Sequence, residues 1–267
     1  MSITKRLDQA RKAYASRDME ASRRAHRPDI IAQAMERHGG TSHQYIGDMV
    51  YGGLDGIVTT FAVVAGVAGA ELGAGVVLIL GLANLFADGL SMATGAYLSS
   101  KSEREYYDRE RQRETWEVNH FPDGERAELL EIYKAKGYNQ DDAERLVEIH
   151  SQDEKVWVDE MMIQELGLLP DDRTPLRSAL ATLGAFVLAG SLPLLVYLLG
   201  LLVPVNPTVS FPVSLALSAA ALFSLGAAKV FVTERNWFRS GLEMLVVGGL
   251  AASVAYLIGN LLQGLGA

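Results

Sequence analysis

The 267-residue chain contains no cysteine, which removes disulfides, thiolate metal sites and cysteine nucleophiles from its chemistry. It also lacks charge where a soluble domain would carry it. From Ser178 to Ala228 there is no Asp, Glu, Lys or Arg, a composition that belongs in lipid. No Gly or Pro separates the apolar stretch AGVVLILGLANLFADGLSMATGAYL, starting at Ala74, from the polar SSKSEREYYDRERQRETWEVN that follows it. Nothing therefore stops one helix from running through both. No HExxH, Ser/His pairing or paired-aspartate protease motif occurs, which sets aside an intramembrane enzyme. The first apolar run begins near Met49, too far in and too long for a cleaved signal peptide. No repeat of fixed period is present.

What is there divides sharply. The average, 49% hydrophobic with a mean hydropathy of +0.13, hides two kinds of sequence. Residues 99–175 hold 21 acidic and 11 basic side chains, whereas the first 45 residues carry nine Lys/Arg against five Asp/Glu. Such an acidic segment disfavours nucleic acid and favours cations, and the basic tail suits an anionic lipid surface. The tail reads as one or two amphipathic helices interrupted at Pro28 and ended by Gly39-Gly40. Its His26, together with His38 and His43, shows no metal-ligand spacing and reads as surface.

Five stretches are long enough to cross about 30 Å of hydrocarbon: Met49–Ala70, the run from Ala74, Leu176–Leu202 with a kink at Pro193, Pro212–Val232, and Gly241–Leu262. The second continues past the membrane to Asn119, for a helix of roughly 65–70 Å at 1.5 Å per residue. All 24 Lys/Arg fall in the N-terminal tail, the segment 99–177 and the connection between spans four and five. With five spans these lie on one side, which the positive-inside rule makes cytoplasmic. The expected architecture is all-α: a tail over 1–45, spans one and two over 46–98, a cytoplasmic three-helix metal-binding domain over 99–175, and spans three to five over 176–267. The domain's helices are the extension of span two, a helix over 123–136 stopped by Gly137, and one from the N-cap Asn139 to Gly167.

Two groups of residues carry the chemistry. In the membrane, Asp55 stands in GGLDG, where Gly52 and Gly56 have the spacing that lets helices approach closely. Asn84, Asp88 and Met92 recur every four residues down one face of span two. Charge, amide oxygen and thioether at that depth suit a path for a transition metal, and a carboxylate there is costly unless it lines a cavity or binds a cation. In the acidic domain Glu114 and Glu117, then Glu125 and Glu128, then Met161 and Glu165 (with Met162 beside them) each share one side of a helix. Packed together, they converge on oxygen-rich sites for a divalent ion, with thioether favouring Fe²⁺ or Mn²⁺ over Mg²⁺ or Ca²⁺. The plainer alternatives are a solvated acidic face and core methionines.

The runs YGGLDGIVTTFAVVAGVAGA, GLANLFADGLSMATGAYLSSKSEREYY, PDGERAEL, WVDEMMIQELGL and SLPLLVYL, in this order over residues 45–265, resemble the vacuolar iron transporter family. The resemblance implies a five-span homodimer in the bilayer that moves Fe²⁺, and often Mn²⁺, out of the cytoplasm in exchange for protons, with no prosthetic group. It also implies that Glu114, Glu117, Glu125, Glu128, Met161, Met162 and Glu165 gather metal, and that Asp55 and Met92 line the membrane path. Two positions depart from the family pattern. Asn84 stands where the family has Glu, with Asp88 one turn on as the candidate replacement, and Leu168 replaces the last Glu of the domain. The first 40 residues lie outside the resemblance, and their unusual tail points the expectation of location to a bacterial inner membrane.

Overall fold

The computed structural model describes residues 3–33, 45–171, 173–203, 205–228 and 236–264, and among these all regular structure is helical. The chain forms two units, Met1–Ile46 and Gly47–Ala267. In the first, the described residues form three short helices where one or two were expected: α1 (Ile3–Ser16), α2 (Met19–Ala25) and α3 (Pro28–Gln33). The extra break falls at Arg17, whose φ of 56° is left-handed, and Asp18 then caps α2 by accepting the N–H groups of Glu20 and Ala21 at 3.0 and 2.9 Å. Ala13 and Ala25 are buried, and α1 packs on α2. His38, His43 and Gly39-Gly40 lie outside the described residues.

Among its described residues, the second unit contains five helices with the length and composition of membrane spans. They are α4 (Ile46–Gly69), α5 (Ala74–His120), a broken third span, α11 (Pro207–Ala228) and α12 (Trp237–Leu261). The third span is α9 (Pro175–Gly190), a 3₁₀ turn (Leu192–Leu194) and α10 (Leu195–Leu199), so the kink foreseen at Pro193 is a full interruption. Proline has no N–H to continue the ladder. The hydroxyl of Ser214 on α11 donates to the carbonyl of Pro193 at 2.6 Å, a side-chain bond that ties the interruption to the neighbouring span in an environment without water. Leu90, Leu188, Leu250 and Leu261 are exposed on the outer faces although the interior is also apolar, as a bundle solvated by lipid requires.

Glycines set the helix spacing. A Cβ on Gly52 would lie 2.5 Å from the Thr182 carbonyl oxygen, and one on Gly56 would lie 2.4 Å from that of Phe186, so α4 and α9 touch through their backbones. Replacing Gly56 by Ala must push these helices apart. We expect a loss of about 1–3 kcal/mol, read as a lower midpoint for thermal unfolding of the detergent-solubilised protein.

Helix α5 is one uninterrupted 47-residue rod, so the join between its apolar and charged halves is helical throughout. Beyond it come α6 (Pro122–Ala135), α7 (Gln140–His150) and α8 (Glu154–Gln164). The single helix expected over 139–167 is two. Asp153 caps a new helix by accepting the N–H of Val156 at 3.0 Å, and the chain turns at Ser151–Asp153. The turn lets α8 fold back onto the extension of α5, where Arg111 pairs with Asp159 at 2.5 Å. Val118, Leu129, Tyr133, Trp157, Met161 and Met162 form the shared core. The Tyr133 hydroxyl donates to Glu160 at 3.0 Å and also meets His150, tying α6, α7 and α8 together.

Candidate metal centre

The extension of α5 carries Glu114, α6 begins with Glu125 in its first turn, and Glu165 caps the C-terminus of α8. Folding brings one carboxylate oxygen from each of these three within 4.8 Å of the others. Glu114 is fully buried and Glu125 nearly so, while Glu165 is the solvent-exposed member. Neither oxygen of Glu114 receives a hydrogen bond, and one oxygen of Glu125 is likewise unsatisfied. Arg113 lies 2.6 Å from Glu114 but is not aligned to donate to it. Its well-formed contacts are to Glu110 and Glu117, at 3.0 and 2.8 Å.

Buried carboxylates without donors resist ionisation. Burial, followed by the charge of Glu165, raises Glu114 to a pKa of about 7. Burial and then Glu128 raise Glu125 to about 7. Glu165 is raised as well, by the partial desolvation of its carboxylate and then by the charge of Glu128, although the residue keeps contact with solvent. Glu117 and Glu128 thus bear electrostatically on the cluster that their helical spacing suggested they would join. Three converging carboxylates, two of them short of hydrogen-bond donors, offer the kind of oxygen ligands that a divalent cation takes.

Met161 and Met162 are completely buried in the apolar core beside Leu129 and Trp157. Leu168 packs on the same core. The packing role weighed for these methionines from sequence is therefore filled. Arg113 was not foreseen, although its spacing of three from Glu110 and four from Glu117 on one helix could have identified it.

In the membrane bundle Asp55, Asn84 and Asp88 are connected across α4 and α5, while Met92 stands apart from them. Asp55 on α4 is half-buried and close enough to Asp88 on α5 for their charges to interact. The Thr59 hydroxyl donates to the Asp55 carbonyl at 2.9 Å and accepts from the Asn84 amide at 3.4 Å, so Asn84 reaches α4 through a residue that was not singled out. Thr59 stands four residues beyond Asp55, a spacing that could have flagged it. Asn84 lines a cavity of about 1220 Å³ with Val67, Leu80 and Ile258. Met92 lines a separate one of about 350 Å³, with Asp48, Ser100 and Ser178.

The sequence profile of the VIT family matches residues 46–260. A vacuolar iron transporter of Toxoplasma gondii is 40% identical over 269 aligned positions, covering 96% of this chain and 88% of that protein. One of Plasmodium falciparum is 32% identical and covers 98% of each, and vacuolar iron transporter 1 of Arabidopsis thaliana is 34% identical over 88% of this chain and 92% of its own. The Toxoplasma and Plasmodium alignments run into the N-terminal segment, which the resemblance read from sequence had left outside. These relatives are plant and apicomplexan proteins named for the vacuole, and they give no support to a bacterial inner membrane. The chain belongs to the VIT family, whose members are integral membrane transporters rather than enzymes.

Proposed function

We propose that the protein carries Fe²⁺, with Mn²⁺ as a second substrate, out of the cytoplasm in exchange for protons, working as a homodimer. The observation that carries this reading is the convergence of Glu114, Glu125 and Glu165 on a helix that is itself the second membrane span. Metal collected there is held on the same rod that carries Asn84, Asp88 and Met92 into the bilayer. The names of the relatives supply iron as cargo, and carboxylate oxygens suit Fe²⁺ and Mn²⁺ alike. Glu117 and Glu128 add negative potential, and Met161 and Met162 are the thioethers nearest in sequence to Glu165.

Proton exchange follows from the ligand type, since protonating a carboxylate abolishes it as a ligand. Glu114 and Glu125, both with pKa near 7, change hands between metal and proton under ordinary conditions. In the bundle, Asp55 with Asp88 is the pair that passes the ion onward, and Asp88 supplies the carboxylate that Asn84 does not. The distribution of Lys/Arg puts residues 1–45 and the metal-gathering domain of 99–175 on the cytoplasmic side. A vacuole-type membrane is the setting that the relatives' names favour.

The test is flux of Fe²⁺ and of Mn²⁺ into proteoliposomes with and without an imposed pH gradient. We expect uptake that rises with an acidic lumen, together with proton efflux in step with metal entering. Metal binding without flux would instead make the protein a membrane-anchored store or sensor.

A further inference from the structure

At the end of the bundle from which α5 projects, a cavity of about 350 Å³ opens between α4, α5 and α9. Its lining is short of partners. The hydroxyls of Ser100 and Ser178, in residues 7% and 2% exposed, are buried with no hydrogen bond, and so is one oxygen of Asp48. The neighbouring Thr182 does not help, because its hydroxyl donates to the Ser178 carbonyl at 2.9 Å. Two buried hydroxyls and a carboxylate oxygen without partners leave room for a polar guest, water or a hydrated cation.

Among the described lining residues, one fixed positive charge faces these oxygens. Arg173, on the strand of chain leading into α9, lines the cavity and feels the charge of Asp48. Its Nη2 donates to Glu103 of the α5 extension at 2.9 Å, and its Nε to Asp171 at 2.7 Å. The Arg173 backbone N–H donates to the other Asp171 oxygen at 2.9 Å, so Asp171 holds both the guanidinium and the chain that carries it. Met92 lines the same cavity.

We propose that Arg173 is a charge filter: a tethered cation at the mouth of this cavity that a divalent ion displaces from Glu103 and a monovalent ion does not. Guanidinium does not lose its proton in proteins, so the filter is always charged. Glu103 can exchange one positive charge for two with a gain in attraction, but exchanging one for one offers none. Asp171 retains Arg173 when Glu103 lets go, which makes the displacement reversible. Filtering for transport rests on the transport reading above, whereas control of access to the cavity does not.

Because the chain has no cysteine, S100C gives a single reporter inside the cavity of the full-length protein in nanodiscs. Its labelling is timed with a cationic aminoethyl and a neutral methyl methanethiosulfonate. With R173Q the ratio of cationic to neutral rates should rise roughly tenfold, while R173K should stay near the parent ratio. Mn²⁺ should protect the thiol at lower concentration in R173Q than in the parent. An unchanged ratio overturns the proposal, and so does an equal rise in both rates, which would make Arg173 a steric plug. Should S100C fold poorly, S178C places the reporter on the opposite wall. Labelling needs no flux, so a protein that shows the ratio change yet carries no iron would sink the transport reading and leave the filter standing.

Discussion

Asp55→Ala should reduce metal flux to the background of empty liposomes, a fall of roughly a hundredfold or more, while the protein still binds metal through residues 114–165. The contrast is expected because the two groups of acidic residues are physically separate. Asp55 sits within α4, where among the described residues its carboxylate accepts no hydrogen bond, and the Thr59 hydroxyl reaches its backbone carbonyl instead. Removing the side chain therefore leaves the helix and its glycine contacts with α9 intact. A half-buried carboxylate that supports no neighbour costs stability in lipid, so its presence calls for a ligand or a proton. The measurement pairs proteoliposome flux with Mn²⁺ titration of the same preparation. Parent-level flux in the variant would remove Asp55 from the path and favour the store or sensor, whose spans only tether. Asp55→Glu, which keeps the charge, should retain part of the flux, and this separates a ligand from a packing element.

Much of this arrangement was legible in the sequence because lipid imposes simple constraints. The five spans follow from length and apolarity, and the continuity of α5 from the absence of a breaker between Tyr97 and Asn119. Helical spacing put Glu114 and Glu125 on definite faces, but spacing describes one helix at a time. It could not say that Glu165 would meet them while Glu117 and Glu128 would act from the side. That choice depends on the turn at Ser151–Asp153, and the turn depends on one capping aspartate in a stretch already rich in acidic residues. Likewise Met161 and Glu165 share a helix face in projection, yet the core around Leu129 and Trp157 takes the methionine and leaves the carboxylate at the helix end. The cavity at Arg173 was illegible for a different reason. Its lining comes from the first turns of α4 and α9, the middle of α5 and the chain before α9, and no local pattern joins Asp48 to Ser178.

Glu114→Gln should move stability and metal binding in opposite directions. In the metal-free protein Glu114 is fully buried and receives no hydrogen bond, so its ionised form is unfavourable in the fold. Its pKa rises from 4.5 in the unfolded chain to about 7 in the folded one. A group raised in this way favours the folded state most below pH 4.5, and that contribution is lost as pH climbs through 7. The glutamine variant loses nothing over that interval. Its advantage over the parent should grow from pH 4.5 to 7 and then level off, reaching on the order of 1–3 kcal/mol. Denaturant unfolding followed through the Trp157 environment at several pH values measures it. Metal affinity should fall at least tenfold in the same variant, because a neutral amide replaces the most buried of three carboxylate ligands. In the parent, affinity itself should weaken as pH drops from 7 toward 5, where protons compete for Glu114 and Glu125. A purely structural glutamate would give the reverse on the first count, a variant less stable at every pH. A merely solvated one would give no change on either.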